Sequence, residues 1–250
     1  MTYNYCFRGL VRASILGGLT GGFSAFGVVD RLKELVAEQG MYITRYDFFN
    51  LLYVTNDFNT FSYLSRDNIS LLFFPTIFYL LGIIIVTGEF LLKPREYVTF
   101  YYGRAQSIKE TIKLLRGYGG SYVGCYTSFY LIVVYIFSFL CIPIVGSQHN
   151  IPEYKLLIFL VLHSIGQWLA FLLFREIMLH IYCKAGVTAS FSAGFLVLLI
   201  ILLLDMQMSF CNLLLFLPKN YFADSIIIMA LSYIFFRVIN NRSMCTNLPY

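Results

Sequence analysis

The run Leu156-Leu157-Ile158-Phe159-Leu160-Val161-Leu162-His163-Ser164-Ile165-Gly166-Gln167-Trp168-Leu169-Ala170-Phe171-Leu172-Leu173-Phe174 contains no Asp, Glu, Lys or Arg. At 1.5 Å per residue, a helix of about 20 apolar residues crosses the roughly 30 Å hydrocarbon layer of a bilayer. Backbone amides in lipid find no water, so such a run must satisfy its hydrogen bonds within its own helix. Five further apolar runs accompany it, at 10–29, 69–92, 122–146, 187–206 and 225–238. The first is diluted by glycine and the last is short, so six spans are expected, with five as the alternative. The predicted fold class is all-α, a polytopic membrane protein forming one domain over residues 1–250.

Composition agrees, with 59% hydrophobic and 12% charged residues against about 25% charged in soluble domains. The net charge of +5 does not indicate nucleic acid, because the basic residues sit beside apolar runs and form no basic face interleaved with aromatics. Their distribution instead sets orientation. Arg8, Arg12, Lys93, Arg95, Arg104, Lys109, Lys113, Arg116, Arg175, Lys184, Arg237 and Arg242 fall on one side, twelve against six on the other. Lys and Arg are enriched in cytoplasmic loops, which predicts both termini inside, an outer segment at 30–68 and a cytoplasmic loop at 93–120.

The first run also resembles a signal peptide in outline, since Arg8 and Arg12 precede it, but its glycines favour a packing helix. Gly17 with Gly21 and Gly18 with Gly22 form two overlapping GxxxG pairs, which strip side chains from a helix face and let another backbone approach. That approach is either a subunit interface or packing within the same bundle.

Catalytic and metal motifs are absent from the sequence. Cys6, Cys125, Cys141, Cys183, Cys211 and Cys245 show no CxxC spacing, and His149, His163 and His180 form no HExxH. No nucleophile and base stand at helical spacing near midspan, which disfavours an intramembrane hydrolase. His163 and Gln167, four residues apart, share a helix face and form a candidate intramembrane polar pair, read as structural in preference to a substrate contact. Glu89 and Asp205 lie near span ends and are expected to reach the interface. Tyr53, Phe58, Phe61 and Tyr63 on the outer side, and Tyr97, Phe100, Tyr101 and Tyr102 on the inner, are expected in interfacial belts. The apolar character of residues 42–63 also suits a segment lying against the membrane.

The cytoplasmic loop carries the most information. Pro94 breaks the second helix, and residues 107–116 read as a short amphipathic helix with Ile108, Ile112 and Leu115 on one face and Lys109, Lys113 and Arg116 elsewhere. Gly117, Gly119 and Gly120 are expected to end it. Such a helix suits either anionic headgroups or a groove on a cytoplasmic partner.

The order of six spans, a polar outer segment and a basic helical loop resembles the permease subunits of ABC-2 type ATP-driven exporters. The stretch Gly88-Glu89-Phe90-Leu91-Leu92-Lys93-Pro94-Arg95, followed by Gly103-Arg104 and the 107–116 helix, is similar to that family's loop and its coupling helix. The nearest likeness is to the small bacteriocin-associated, self-immunity and amphipathic-peptide-exporting permeases of Gram-positive bacteria. Ala105, Gln106 and Ser107 stand where many of these carry a dense basic run. The resemblance implies that Arg104, Ile108, Lys109, Ile112, Lys113 and Leu115 dock an ABC ATPase subunit, and that residues 207–221 form an outer re-entrant element. It implies a second permease copy or paralogue, packed through the first and fifth helices, and amphipathic peptide or other hydrophobic cargo. It also implies a cell membrane location. No GxxxxGK[ST] phosphate loop occurs, so no cofactor is expected on this chain, with ATP and Mg held by the partner ATPase. The alternatives are a stand-alone immunity or assembly protein and a substrate-binding integral subunit of an importer.

Overall fold

The computed structural model describes residues 2–39, 44–53, 73–87, 108–141, 153–207, 214 and 222–243. They form α1 (Thr2–Gln39), α2 (Arg45–Tyr53), α3 (Phe73–Thr87), α4 (Ile108–Cys141), α5 (Glu153–Gln207) and α6 (Phe222–Ser243), and no strand occurs among them. Helix α5 breaks at Gly186, whose φ of 85° an L side chain would rarely adopt. The two limbs fold against each other there: Ser190 Oγ donates to the Met178 carbonyl at 2.7 Å.

Four stretches are long and apolar enough to cross a membrane: Arg8–Glu34, Gly119–Cys141, Glu153–Tyr182 and Lys184–Asp205. Two shorter apolar helices, Phe73–Ile85 and Ile226–Asn241, accompany them. The helices bury apolar side chains as a water-soluble bundle does, but they also expose them. Ile15, Leu19, Phe23 and Phe26 on α1, and Phe129, Ile132, Ile136 and Leu140 on α4, form exposed apolar stripes. Thr20, Tyr126, Tyr130, His163 and Gln167 are buried. An apolar exterior around a polar-seeded interior fits a lipid solvent, where burying Leu between helices brings little gain over leaving it in acyl chains.

The α1–α4 contact organises the bundle and resolves the glycine question. A Cβ on Gly17 would fall onto the Tyr126 carbonyl oxygen, and one on Gly21 would lie 2.9 Å from the Tyr130 carbonyl oxygen. These two glycines therefore seat α4 of the same chain, which leaves them unavailable as a subunit interface. Gly18 and Gly22 face the Val133 side chain at ordinary distances, 3.7 and 3.9 Å for a built Cβ. Because residue 17 meets 126 and residue 21 meets 130, α1 and α4 run parallel.

Helix α3 fits between α1 and α5. Phe78 stacks on Tyr126, with ring centroids 5.2 Å apart, and lies 5.4 Å from Phe171. Tyr126 donates its hydroxyl to the Phe78 carbonyl at 2.9 Å, which satisfies a phenol that lipid could not. Thr20 and Thr127 satisfy their hydroxyls in the same spirit, donating to the carbonyls of Leu16 and Val123 one turn back.

Two expectations are corrected here. Residues 108–116 do not form a separate helix ended by glycines; α4 runs unbroken from Ile108 to Cys141. A glycine costs a helix interior about 1 kcal/mol, which the packed context outweighs. Tyr53 does not stand in an interfacial belt either. It is buried at the end of α2, stacked on Phe49 at 6.2 Å, because Phe48, Phe49, Leu52 and Tyr53 share the face that covers the interior. Phe58, Phe61, Tyr63, Glu89, Tyr97, Phe100, Tyr101, Tyr102, Arg104 and His149 lie outside the described residues.

Candidate functional site

The densest polar cluster sits where α4, the first limb of α5 and α6 meet. Glu176 is fully buried and accepts from three donors. Arg175 Nη2 reaches Oε1 at 3.0 Å, and Arg116 Nη2 and Asn240 Nδ2 reach Oε2 at 2.9 and 3.0 Å. Asn240 Nδ2 also donates to the Glu176 carbonyl at 2.8 Å, and its Oδ1 meets His180 Nδ1 at 2.9 Å. Arg116 Nη1 donates to Asn241 at 2.6 Å. Arg175 Nη1 donates to the Arg116 carbonyl at 2.8 Å, beside the glycines of α4. A carboxylate buried this way persists only because each oxygen is paired with a cation or amide.

A second charged cluster marks the opposite end of the α4–α5 pair. Arg45 of α2 places Nη1 at 2.9 and 2.8 Å from the two oxygens of Glu153, while its Nε and Nη2 lie 3.3 and 3.2 Å from Ser138 Oγ. The guanidinium lies 3.5 Å from the Phe139 ring centroid, and Tyr135 donates to Glu153 Oε1 at 2.9 Å. A planar cation suits a site that combines a carboxylate with an aromatic face.

Between these ends lies a buried polar stretch. His163 and Gln167 sit 3.1 Å apart through Nε2 atoms, and Tyr53 lies over the His163 ring with centroids 3.8 Å apart. Asp205 does not reach an interface as expected; it is fully buried and accepts from the Leu214 backbone N–H at 2.7 Å. Tyr79 donates to the Leu214 carbonyl at 3.1 Å. A single bend residue thus has both backbone groups held inside the bundle. Apart from Leu214, the 208–221 region lies outside the described residues.

The docking residues are only partly placed. The backbone of Ile108, Lys109, Ile112, Lys113 and Leu115 belongs to α4, while their side chains lie outside the described residues. Cys125 and Cys141 are free thiols, and among the described residues no group of three or more His, Cys, Asp or Glu could hold a metal ion. The Glu176 cluster was not legible in the sequence, where Arg116 reads as part of the 107–116 amphipathic helix and Arg175 as one of the cytoplasmic basic residues. The available signal was an acid, Glu176, directly after Arg175 at the end of an apolar run.

No family model, no curated protein and no solved structure matches the chain. The fold and site define a helical, membrane-embedded protein whose polar groups join helices at both ends of the bundle.

Proposed function

We propose that the chain is the membrane-spanning permease subunit of an ATP-driven exporter of the ABC-2 type. It would use six spans in the cell membrane, with both termini cytoplasmic. A separate ATPase would hold ATP and Mg, dock on residues 104–115 and drive export of amphipathic peptides or similar hydrophobic cargo. The observation supporting this reading is the continuity of α4. The basic segment that would meet the ATPase is the first part of the same helix that enters the bundle, and Arg116 at their junction is bonded to α5 and α6. A helix that continues from the docking segment into the bundle, and is tied there to two others, links a displacement at its end to the bundle, which is what coupling two global states requires.

A second permease copy, identical or paralogous, would meet this one through side chains left exposed on α1, such as Ile15, Leu19 and Phe23, because Gly17 and Gly21 are occupied by α4. The test is copurification with an ATP-binding-cassette ATPase encoded beside this gene. Wild type should retain the ATPase, and Ile112→Asp should lose it while the permease stays folded. Copurification and coupled ATP hydrolysis unchanged in Ile112→Asp would refute the docking site. Absence of any such neighbouring ATPase would sink the exporter reading in favour of a stand-alone membrane protein.

A further inference from the structure

We infer that α4 is hinged at residues 117–120, and that the Arg116–Glu176 contact is a detachable lock holding the hinge straight. Three of these four residues are glycine, in sequence a helix end, yet the helix passes through them. Each glycine holds the helix about 1 kcal/mol less well than alanine, so three in four residues make this the stretch of α4 weakest in intrinsic helix propensity. Glycine lowers the cost of leaving the helix, and Gly117 is exposed, with nothing within 4 Å of a built Cβ to hold it in place.

The chemistry of the lock allows it to part without stranding a buried charge. Glu176 has two cationic partners of different kinds. Arg175 is its neighbour on α5 and moves with it, whereas Arg116 comes from α4, 60 residues away in sequence. If α4 pivots, Glu176 keeps Arg175 on one oxygen and Asn240 on the other. Arg116 leaves toward the surface, where its side chain is already 12% exposed. Breaking a buried pair is costly mainly because one charge is left uncompensated, and here neither is. Arg116 Nε and Arg175 Nε meet no hydrogen-bond partner among the described residues, so the closed network is incompletely satisfied and correspondingly easier to open. Two further links, from Arg116 Nη1 to Asn241 Oδ1 and from Arg175 Nη1 to the Arg116 carbonyl, also run through Arg116 and must release in the same movement.

The hinge is a property of this chain; its use as an energy-transmitting joint rests on the exporter reading. Hydrogen exchange of the full chain in lipid nanodiscs, without any ATPase, tests the hinge alone. Amides at 117–121 should exchange faster than those of Tyr126–Tyr130 in the same helix. Gly117→Ala with Gly120→Ala should slow the former by about thirtyfold, from two helix-propensity increments. That pair fits the straight helix, since a Cβ at Gly117 meets nothing within 4 Å and one at Gly120 lies 3.6 Å from Arg175 Nη1. Arg116→Ala should raise exchange at 117–121 by about tenfold or more, the loss of a charged hydrogen bond, while Tyr126–Tyr130 stay protected. Unchanged exchange at 117–121 in the alanine pair, or equal exposure of the whole helix in Arg116→Ala, would overturn the hinge.

Discussion

Adjacent glycines on α1 should respond in opposite ways to the same methyl group. At Gly17 an added Cβ lands on the Tyr126 carbonyl oxygen and 3.1 Å from that residue's Cα, all backbone atoms that cannot swing aside. The helices must separate, and overpacking of this kind costs about 1–3 kcal/mol. At Gly18 the nearest atom is Val133 Cγ2 at 3.7 Å, an ordinary contact, so Gly18→Ala costs nothing in packing. It should gain up to about 1 kcal/mol in helix propensity. Gly17→Ala gains the same propensity increment, so the two variants should differ by the overpacking cost alone, about 1–3 kcal/mol. Unfolding in mixed micelles of increasing SDS content measures this, read by the fluorescence of Trp168, the only tryptophan. Equal destabilisation by both substitutions would refute the α1–α4 contact as described. A change of oligomeric state in Gly18→Ala, with intact monomer stability, would return the glycine face to a subunit interface.

Three other outcomes follow from the buried polar groups. Glu176→Gln strands two guanidinium groups and should cost about 3–5 kcal/mol in the same unfolding assay, with Arg116→Gln added to it recovering part of the loss. His163→Leu should leave the Gln167 amide short of a partner at about 1–3 kcal/mol, and a double-mutant cycle with Gln167→Leu should show coupling between the two. Asp205→Asn removes the charge from the acceptor of the Leu214 N–H and should cost about 1.5–3 kcal/mol at most; faster limited proteolysis after residue 207 would accompany it. Loss of stability in Asp205→Asn without that added cleavage would argue against the tether between Asp205 and Leu214.

Much of the architecture was legible in the chain because apolar run length is a local property. The 156–174 run lies within Glu153–Tyr182, and the 187–206 run corresponds to Lys184–Asp205 almost residue for residue. The ends were less legible, since helices continue past their apolar cores wherever the fold satisfies polar residues. Arg175 and Glu176 extend the first limb of α5 because Arg116 and Asn240 wait for them. The spacing of His163 and Gln167 places both on one face of a helix; that Tyr53 would cover the His163 ring did not follow from spacing. Gly117, Gly119 and Gly120 read as a helix end by propensity alone, and the packed helix overrides a preference of about 1 kcal/mol per residue.

The sequence by itself determines that this protein is helical and lipid-embedded, because hydrophobic length and hydrogen-bond satisfaction in lipid act within one segment. Only the tertiary structure decides that Gly17 and Gly21 seat α4, that Asp205 holds Leu214, and that Glu176 is shared between Arg175 and Arg116. The reason is physical reach. A hydrogen bond or a backbone contact acts over about 3 Å, and which groups come that close depends on segments that are distant in sequence.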